Sequence, residues 1–378
     1  MNKGLLLLVA GIKGAIGSTL AVAIQSLQKN PELILPYLMT GQKLSHLGDP
    51  TQIEVAGWDC SSHSISEAIA HHRVLTNNLW KPFEPELATI STAPAPNPQM
   101  KLMQQIQGLK KQLNEFCSIY PDHQPIFINL LPAGSCHDLN GYSNLDELRD
   151  LDGPALIPDL AYAAAAIESG VPMVNFTPNK IEIPALIHAA QDNGVPLAGR
   201  DGKSGQTYLK VVLASALRAR HLLINGWYSA NILGNADGEN LMDPDNAACK
   251  LNNKTDVLTK VLGYAPGEKR FGKPVHKVVI DYYPPRGDAK EAWDVIDFEG
   301  IMGLNMSLRL NLQGRDSILA VPMVLDLARW VAALGRKGMA GPISELAFYF
   351  KAGIDKSIPH TFEDQLAALD KLELALST

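Results

Sequence analysis

The sequence predicts an α/β protein: a doubly wound parallel sheet, followed by a second, α+β domain with an open mixed sheet. Through the first half of the chain, continuous apolar segments alternate with helical patterns, whereas later segments alternate apolar and polar residues. Continuous apolar strands are typical of parallel sheets covered on both faces, and alternation is typical of strands with one face in water. A glycine-rich turn after the first apolar segment favours the same fold class.

The length and composition allow two domains. With 378 residues and 46% apolar content, the chain is too long for one ordinary hydrophobic core. We expect a first domain over residues 1–200, a second, α+β domain over 201–315, and a C-terminal segment, 316–378, that returns to the first domain.

The elements of the first domain follow from its apolar runs. We predict the strands "LLLLVAG", "QPIFINLLPAG", "VPMVNFTP" and "VPLAG", with helices "AIGSTLAVAIQSLQ" and "IPALIHAAQDNG" between them. The run "QMKLMQQIQGLKKQLNEF" has apolar residues at helical spacing and predicts a covering helix.

The second domain is predicted from alternating segments. These are "HLLINGWYSANIL", "VHKVVIDYYPP", "AWDVIDFEGI" and "MSLRLNLQG". The apolar run "SILAVPMVLDLARWVAALG" then predicts a helix that returns to the first domain.

The charge balance excludes a general attraction to nucleic acid or to an anionic membrane. The formal net charge is −6, from 39 acidic and 33 basic residues. We therefore expect a small-molecule partner, no nucleic acid and no membrane, with any anion bound by a local cluster of side chains.

The cysteines and the N-terminus favour a cytoplasmic protein. Four cysteines, Cys60, Cys117, Cys136 and Cys249, have no C-x-x-C spacing, which argues against a disulfide framework or a zinc site. The apolar run at residues 5–10 is shorter than the roughly 7–15 residues of a secretory signal. No other stretch approaches the roughly 20 apolar residues of a membrane span.

The glycine turn "VAGIKGAIGSTLA" predicts a dinucleotide site and a Rossmann-like first domain. Gly11, Gly14 and Gly17 follow a strand and open a helix, where such a fingerprint lies. The pattern departs from G-x-G-x-x-G, because Lys13 precedes Gly14 and Gly11 is one residue early. A tight strand-to-helix turn without a ligand is the alternative.

The acidic residue that would bind the adenosine ribose is less obvious. The second apolar segment, "LILPYLMTGQ", ends without one, so Asp59 in "AGWDC" is the next candidate. A turn residue at a strand end is an equally plausible interpretation of Asp59.

The stretch "GRDGKSGQT", residues 199–207, contains a Gly-Lys-Ser that resembles the end of a P-loop. The P-loop pattern needs a glycine five positions before the Gly-Lys pair, and Leu197 is found there. The stretch nevertheless joins an apolar segment to a helix, whose first N–H groups attract an anion. It therefore predicts an anion site that does not bind ATP.

Four lysines are candidates for chemistry. Lys250 and Lys254 are four residues apart on a predicted helix and repel each other unless an anion lies between them; a solvated basic face is the alternative. Lys290 lies in "YYPPRGDAK" and Lys351 in the aromatic stretch "FYFKAG". Burial would lower the pKa of Lys351 and suit it to proton transfer, unless its stem lies on apolar surface with the ammonium in water.

Carboxylates accompany these lysines at Asp201, Asp237, Asp288 and Asp316. A buried lysine that changes charge needs such a neighbour to orient it, although each aspartate alone is more often a cap or turn residue. The sequence has no H-E-x-x-H and no G-x-S-x-G, which argues against a zinc hydrolase and an acyl-transfer enzyme.

The motifs together resemble the myo-inositol-1-phosphate synthase family. "GRDGKSGQT", "NILGNADGENL", "CKLNNKTDV", "YYPPRGDAK", "GRDSILAVPMVLDLARW" and "FYFKAG" occur in that family's order and at close to its spacing. The resemblance implies a cytoplasmic, NAD-dependent isomerase of inositol and phospholipid biosynthesis that forms homotetramers, with residues 201–315 as its catalytic and oligomerisation domain. Its substrate would be D-glucose 6-phosphate, which is oxidised at C5, enolised, closed by an intramolecular aldol reaction and reduced again. Ammonium groups would suit the alkoxides and enolates of these steps.

Two alternatives remain beside that function. One is a diverged NAD(P)-dependent enzyme that acts on another phosphorylated sugar, and the other is a non-catalytic regulator that binds NAD and a sugar phosphate. The resemblance also leaves open whether a divalent or monovalent cation is bound.

The resemblance implies roles for individual residues. Lys250 and Lys351 would act near the C5 oxygen, Lys254 and Lys290 would bind phosphate and polarise the C1 aldehyde, and Asp201 and Asp316 would orient lysines. The substrate phosphate would be bound by Ser204, Gly205, Gln206 and Thr207 together with Lys254 and Lys290. The cofactor would contact Gly11, Lys13, Gly14, Ala15, Ile16, Gly17, Asp59, Ala133, Asp201, Asn235 and Asp237.

Two residues depart from the family's pattern. Arg200 replaces the first aspartate of the usual Gly-Asp-Asp, which puts ligand or metal contacts near the cofactor in doubt. Lys13 replaces a glycine, and its Cβ would hinder approach to the pyrophosphate unless its ammonium pairs with the phosphates. We therefore expect Lys13 to change either the affinity for the cofactor or the preference between NAD and NADP.

Overall fold

The computed structural model describes residues 4–43, 49–134, 138–152, 157–243, 245, 257–354 and 358–377, with only the backbone at 42 and 43. The strands in chain order are β1 (Gly4–Ala10), β2 (Ile53–Asp59), β3 (Thr92–Pro94), β4 (His123–Asn129), β5 (Met173–Asn175), β6 (Pro196–Gly199), β7 (Leu223–Leu233), β8 (His276–Tyr282), β9 (Ala289–Glu299), β10 (Asn305–Arg315) and β11 (Gly341–Pro342).

The α-helices among the described residues are α1 (Ala15–Lys29), α2 (Met39–Lys43), α3 (Ile65–His72), α4 (Asn77–Trp80), α5 (Glu84–Leu87), α6 (Leu102–Ile119), α7 (Asp159–Glu168), α8 (Pro184–Asp192), α9 (Gln206–Ala219), α10 (Ala236–Asn240), α11 (Glu268–Phe271), α12 (Asp316–Arg336) and α13 (Phe362–Ser377). Short 3₁₀ segments are Pro31–Leu33, Leu35–Tyr37, Lys81–Phe83, Pro284–Arg286, Ile301–Gly303 and Ser344–Tyr349.

Seven strands form a parallel sheet in the order β11-β6-β5-β4-β1-β2-β3. Apart from β11 at the edge, this is the 3-2-1-4-5-6 order of doubly wound dinucleotide-binding sheets. The carboxyl ends of β1 and β4 therefore flank the point where the strand order reverses, which is where such sheets bind ligands. The predicted doubly wound fold is confirmed.

The central strand β1 explains why both faces of this sheet are covered. All seven of its residues are buried. Leu5, Leu7 and Val9 pack in one core with α1 and α12, whereas Leu6 and Leu8 pack in a second core with α6, α7 and α8. Because successive strand residues point to opposite faces, a continuous apolar run fills two cores at once.

The second sheet has four strands in the order β10-β9-β7-β8. β7 pairs in parallel with β8 and antiparallel with β9, and β9 pairs antiparallel with β10, so the sheet is mixed. Helix α9 packs on its inner face, where Val211 and Ala214 meet Trp227 and Ile296. The predicted α+β sheet is confirmed, while the domain limits along the chain stay a prediction.

Helix α12 joins the C-terminal part of the chain to the first sheet. It packs against β4, β5 and β6, and the chain after it adds β11 beside β6. The expectation that no stretch approaches a membrane span was wrong for α12, which among the described helices is long and apolar enough to cross a bilayer. Of its most apolar window, however, 72% is buried inside the protein. Such burial is typical of a core helix.

The segment "LILPYLMTGQ" is not the second strand. It forms the 3₁₀ segment Leu35–Tyr37 and helix α2, and β2 is the second strand in the chain. Pro36 lacks a backbone N–H and disfavours a central strand here. Asp59 is therefore the last residue of the strand beside β1.

Candidate active site

The glycine turn lies between β1 and α1. Gly11 has φ +83°, a conformation that favours glycine. A Cβ on Gly17 would lie 2.5 Å from the Gly11 carbonyl oxygen, so the third glycine allows close packing of helix and turn. Gly14 precedes α1 without any side-chain cap from the described residues, and Ala15 and Ile16 form the first turn. The first N–H groups of α1 are thus available to an anion such as a pyrophosphate.

Lys13 and Asp59 are brought together beside this turn. The Asp59 carboxylate accepts hydrogen bonds from the backbone N–H groups of Lys13, at 2.8 Å, and Ser61, at 2.9 Å. The Lys13 ammonium donates to the Ser61 carbonyl oxygen at 2.8 Å. Lys13 therefore extends toward the end of β2, where a dinucleotide's adenosine ribose would lie.

Other predicted cofactor residues lie where the loop after β4 contacts helix α10. Asn240 donates to the Ala133 carbonyl oxygen at 2.9 Å, which joins the loop after β4 to helix α10. Asn235 caps α10 and donates to Asp288 at 3.4 Å, and Asp237 lies half-buried in the first turn of that helix. The structure brings Ala133, Asn235 and Asp237 into one region, separate from the Lys13–Asp59 end.

The predicted phosphate loop contains a lysine–aspartate pair. The Lys290 ammonium lies 2.7 Å from Asp316 Oδ2, and the lysine side chain is buried. A Cβ added to Gly205 would lie 3.2 Å from both Lys290 Nζ and Asp316 Oδ1, so the loop packs directly on the pair. Ser204 Oγ donates to Asp316 Oδ1 at 3.3 Å. Gly205 caps α9, and Thr207 lies buried in its first turn.

A second lysine–aspartate pair flanks the same loop. Lys351 Nζ lies 2.7 Å from Asp201 Oδ1, and both side chains are largely buried. The Lys351 N–H also donates to the Asp201 carbonyl oxygen at 2.8 Å, and Gly202 forms an antiparallel bridge with Phe350. The loop of residues 201–207 therefore lies between two ammonium groups, an arrangement suited to a bound anion and to developing oxyanions.

A third carboxylate at this place, Asp288, is buried. It accepts a hydrogen bond from Ser317 Oγ at 2.9 Å, while Oδ2 is buried with no hydrogen-bond partner among the described residues. Burial raises the pKa of Asp288, and the neighbouring Asp316 raises it further. An unsatisfied buried oxygen next to Asn235 and Lys290 is available to a ligand.

Two predicted catalytic lysines, Lys250 and Lys254, lie outside the described residues, as do Cys136 and Cys249. Within the part of the chain that the structure describes, no group of three or more His, Cys, Asp or Glu side chains could hold a metal ion.

Gln206 does not direct its side-chain amide toward the loop. Its Nε2 donates to Asp294 Oδ2 at 2.8 Å, on the inner face of the second sheet. Asp294 is 1% exposed and also accepts from Trp227 Nε1 at 2.7 Å and Ser229 Oγ at 2.5 Å. The backbone N–H of Gln206, in the first turn of α9, is therefore left for an anion, whereas the Gln206 side chain is bound to Asp294. Asp294 is not among the residues predicted from the sequence, although alternation along β9 marks it as inward-facing, as Lys290 is.

A buried polar network at the ends of β4 and β5 was also missed. Asp159 accepts hydrogen bonds from Asn129 at 2.7 Å and Asn179 at 2.9 Å, and burial raises the pKa of Asp159. Asn175 donates to Glu182 at 2.7 Å. The available signal was an asparagine at the end of each apolar strand, "IFIN" and "MVN".

Arg200 joins this network. Its guanidinium lies 3.5 Å from Glu182 Oε2, and both side chains are mostly buried. Its backbone N–H donates to the Ala352 carbonyl oxygen at 2.7 Å. Arg200 therefore connects the strand ends to the segment that carries Lys351.

Sequence comparisons relate this site to known proteins. The sequence model of a family described as myo-inositol-1-phosphate synthase matches residues 205–317, from the phosphate loop into α12. Inositol-3-phosphate synthase 1 of Bacteroides thetaiotaomicron is 32% identical over 379 residues, which cover 94% of this chain and 85% of that protein. Inositol-3-phosphate synthase 1 of Oryza sativa subsp. japonica is 30% identical over 309 residues, which cover 74% of this chain and 59% of the rice protein.

Solved structures show the same fold. Inositol-3-phosphate synthase from Caenorhabditis elegans superposes with a TM-score of 0.86 at 22% identity, covering 100% of this chain and 86% of that one. A myo-inositol-1-phosphate synthase-related protein from Thermotoga maritima superposes with a TM-score of 0.80 at 19% identity, covering 99% and 98%.

Proposed function

The chain belongs to the myo-inositol-1-phosphate synthase family, and we propose that it converts D-glucose 6-phosphate to 1L-myo-inositol 1-phosphate, also named 1D-myo-inositol 3-phosphate. NAD is the proposed cofactor, which when bound accepts a hydride from C5 and returns it to the same carbon. The observation that supports this most is the loop of residues 201–207 between two lysine–aspartate pairs, Lys290–Asp316 and Lys351–Asp201, whose lysine side chains are both largely buried.

The phosphate is proposed to bind at the start of α9. Gly205 leaves the Lys290 ammonium within contact of the loop backbone, and the first turn of α9 offers N–H groups to the phosphate oxygens. Ser204 is the hydroxyl donor at this place once it turns from Asp316. An ammonium beside helix N–H groups favours a doubly charged phosphate over an uncharged hydroxyl.

The proton transfers are proposed to use Lys351 and Asp201. A lysine that removes a proton from the C5 hydroxyl must first be neutral, and the paired Asp201 can hold the proton it releases. Lys290, held by Asp316, polarises the C1 aldehyde for aldol closure. By family resemblance, Lys250 and Lys254 would be the other two catalytic lysines, beside Lys290 and Lys351.

The NAD site is proposed along the edge from Asp59 to Asn235. Gly11, Gly14 and Gly17 let the backbone approach the pyrophosphate, while Asp59 accepts from the ribose hydroxyls. Asn235, Asp237 and Ala133 would surround the nicotinamide. The position of the Lys13 ammonium at Ser61 supports a contact on the ribose side.

A cytoplasmic homotetramer is proposed through the second sheet. The segment before β10 exposes apolar side chains, with Ile301 at 84% and Met302 at 91% exposure, a pattern typical of a contact between subunits. Light scattering coupled to size exclusion measures the assembly. Assays after dialysis against EDTA, and in sodium, potassium or ammonium salts, decide whether a cation takes part.

The reaction itself is tested directly. The purified chain is incubated with glucose 6-phosphate and NAD, and the product is identified by ¹H and ³¹P NMR. We expect a cyclitol phosphate without net NADH. Folded, NAD-binding protein that forms no cyclitol would refute the proposal, and stoichiometric NADH would indicate an ordinary dehydrogenase.

A further inference from the structure

The side chain of Lys203, the lysine of the Gly-Lys-Ser stretch, extends from the loop of residues 201–207 toward the C-terminal part of the chain. Lys203 is 3% exposed, and its ammonium donates to Gln365 Oε1 at 2.7 Å and to the Ala347 carbonyl oxygen at 3.3 Å. The ammonium also lies 5.9 Å from the centroid of the Phe348 ring. A buried charge with these partners is expensive to maintain unless its contacts matter to the protein.

The backbone of Lys203 also binds the segment that contains Ala347. Its N–H donates to the Tyr349 carbonyl oxygen at 2.8 Å, two residues before Lys351. Lys351 in turn donates its N–H to Asp201, two residues before Lys203. Main chain and side chain of Lys203 thus fix the segment that presents Lys351 to Asp201.

Gln365 extends this anchoring to the chain after Lys351. It is buried near the start of α13, and its Nε2 donates to the carbonyl oxygens of Pro359 and His360 at 3.2 and 3.3 Å. Through Lys203 and Gln365, the residue Ala347 before Lys351 and the residues Pro359 and His360 after it are therefore held by one hydrogen-bonded pair. Residues 162 apart in sequence make this contact.

We propose that Lys203 is a positioning residue for Lys351, which anchors the 347–352 segment through Ala347, Tyr349 and Gln365. The role rests on the proposed function, because Lys351 is assigned there to proton transfer at C5. A misplacement of about 1 Å in such a group can cost about 100-fold in rate.

The electrostatic setting is consistent with this role. Burial lowers the pKa of Lys203 to about 7. The cavity beside it is lined by other basic groups, Lys260, Lys351 and His360. A hydrogen-bonded amide, Gln365, holds Lys203 without the second charge that a carboxylate would bring near the Lys351–Asp201 pair.

Hydrogen exchange and kinetics on the full chain test the proposal. In Lys203→Met, we expect the amides of residues 348–352 to exchange at least about tenfold faster, since their anchor is lost. We expect kcat with glucose 6-phosphate to fall about 10- to 100-fold. The Kd for inorganic phosphate should change less than about threefold, because Gly205 and Lys290 are retained. Lys371→Met, on an exposed position of α13, is the control that should leave all three values unchanged.

A second variant keeps the test decisive if Lys203→Met does not fold. Lys203→Met with Gln365→Leu replaces both polar partners by apolar groups of similar size, which often preserves stability. This folded double variant should still show fast exchange and low kcat. Wild-type exchange and kcat in either folded variant would overturn the proposal. If wild-type protein forms no cyclitol, the proposed function fails, while the exchange data decide the anchoring independently.

Discussion

Lys351 and Asp201 are joined twice: the ammonium lies 2.7 Å from the carboxylate, and the lysine N–H donates to the aspartate carbonyl oxygen at 2.8 Å. The second bond fixes the backbone from which the first is made, so the pair keeps its geometry when a proton moves. A lysine held in this way is pre-organised for repeated transfer at one atom.

Asp201→Asn should lower kcat about 10- to 1,000-fold, because the amide cannot take the lysine's proton. The amide keeps the side-chain volume but removes the charge paired with the largely buried Lys351 ammonium, so the melting temperature should fall as well. Initial rates by NMR, with thermal unfolding measured in parallel, check this. Asp192→Asn, on an exposed position at the end of α8, is the control; equal rates in Asp201→Asn and wild type would remove the proposed role.

Gly205→Ala should raise the KM for glucose 6-phosphate about tenfold, more than it lowers kcat. The added Cβ would lie 3.2 Å from Lys290 Nζ and Asp316 Oδ1, where the phosphate is proposed to bind. Gly108→Ala within α6 is the matched control, since its Cβ would meet nothing within 4 Å. That control should stabilise the helix by about 0.5–1 kcal/mol. An unchanged KM in Gly205→Ala would contradict the proposed phosphate position.

Asp294→Asn should raise the same KM about three- to tenfold with kcat within about twofold. The asparagine cannot accept from Gln206 and from Trp227 and Ser229 at once, so the start of α9 loses a fixed contact. Asp297→Asn on the exposed face of the same strand is the control. Steady-state kinetics decide; a kcat loss without a KM change would place Asp294 outside phosphate binding.

Asp59→Ala should weaken NAD binding at least about tenfold, because a charged hydrogen-bond acceptor for the ribose is lost. Titration calorimetry measures the affinity without turnover. If Asp59 is only a turn residue that holds Lys13 and Ser61, the variant will lose stability and keep its affinity for NAD. Lys13→Ala, titrated with NAD and NADP, separates the ammonium's contribution from that of the turn.

Stability should depend on pH through Lys203. Burial lowers the pKa of this lysine from 10.5 to about 7, so between these values the unfolded chain binds more protons than the folded one. The free energy of unfolding therefore rises with pH across that window. Urea unfolding at several pH values should show a larger rise for wild type than for Lys203→Met. Parallel curves for the two proteins would contradict the assigned burial of the charge.

The fold class and the family could be predicted because their signals are local. Continuous apolar strands, alternating strands and ordered motifs are read within short windows, and the sheet orders and family comparisons confirm them. The second strand could not be placed in this way, because "LILPYLMTGQ" is apolar enough for a strand and only Pro36 argues against it.

The candidate site was less predictable because its contacts are long-range. Lys351 and Asp201 are 150 residues apart, and Lys203 and Gln365 are 162 apart. Spacing alone could not pair them, and nothing in the Gly-Lys-Ser pattern indicated that the Lys203 side chain is buried against Gln365. Asp294 and Asp159 were missed because an acid in an apolar strand or helix looks like a surface residue until its burial is known.

The packing of α12 and β11 on the first sheet sets the order of folding during synthesis. Strands β4 to β6 emerge from the ribosome long before the helix that covers one of their faces, which is complete only at Arg336. Until then, the nascent chain exposes apolar surface that later forms the core with Val324, Leu327 and Val331. A fragment ending near residue 200 would lack both α12 and β11, so this apolar face of the sheet would stay uncovered.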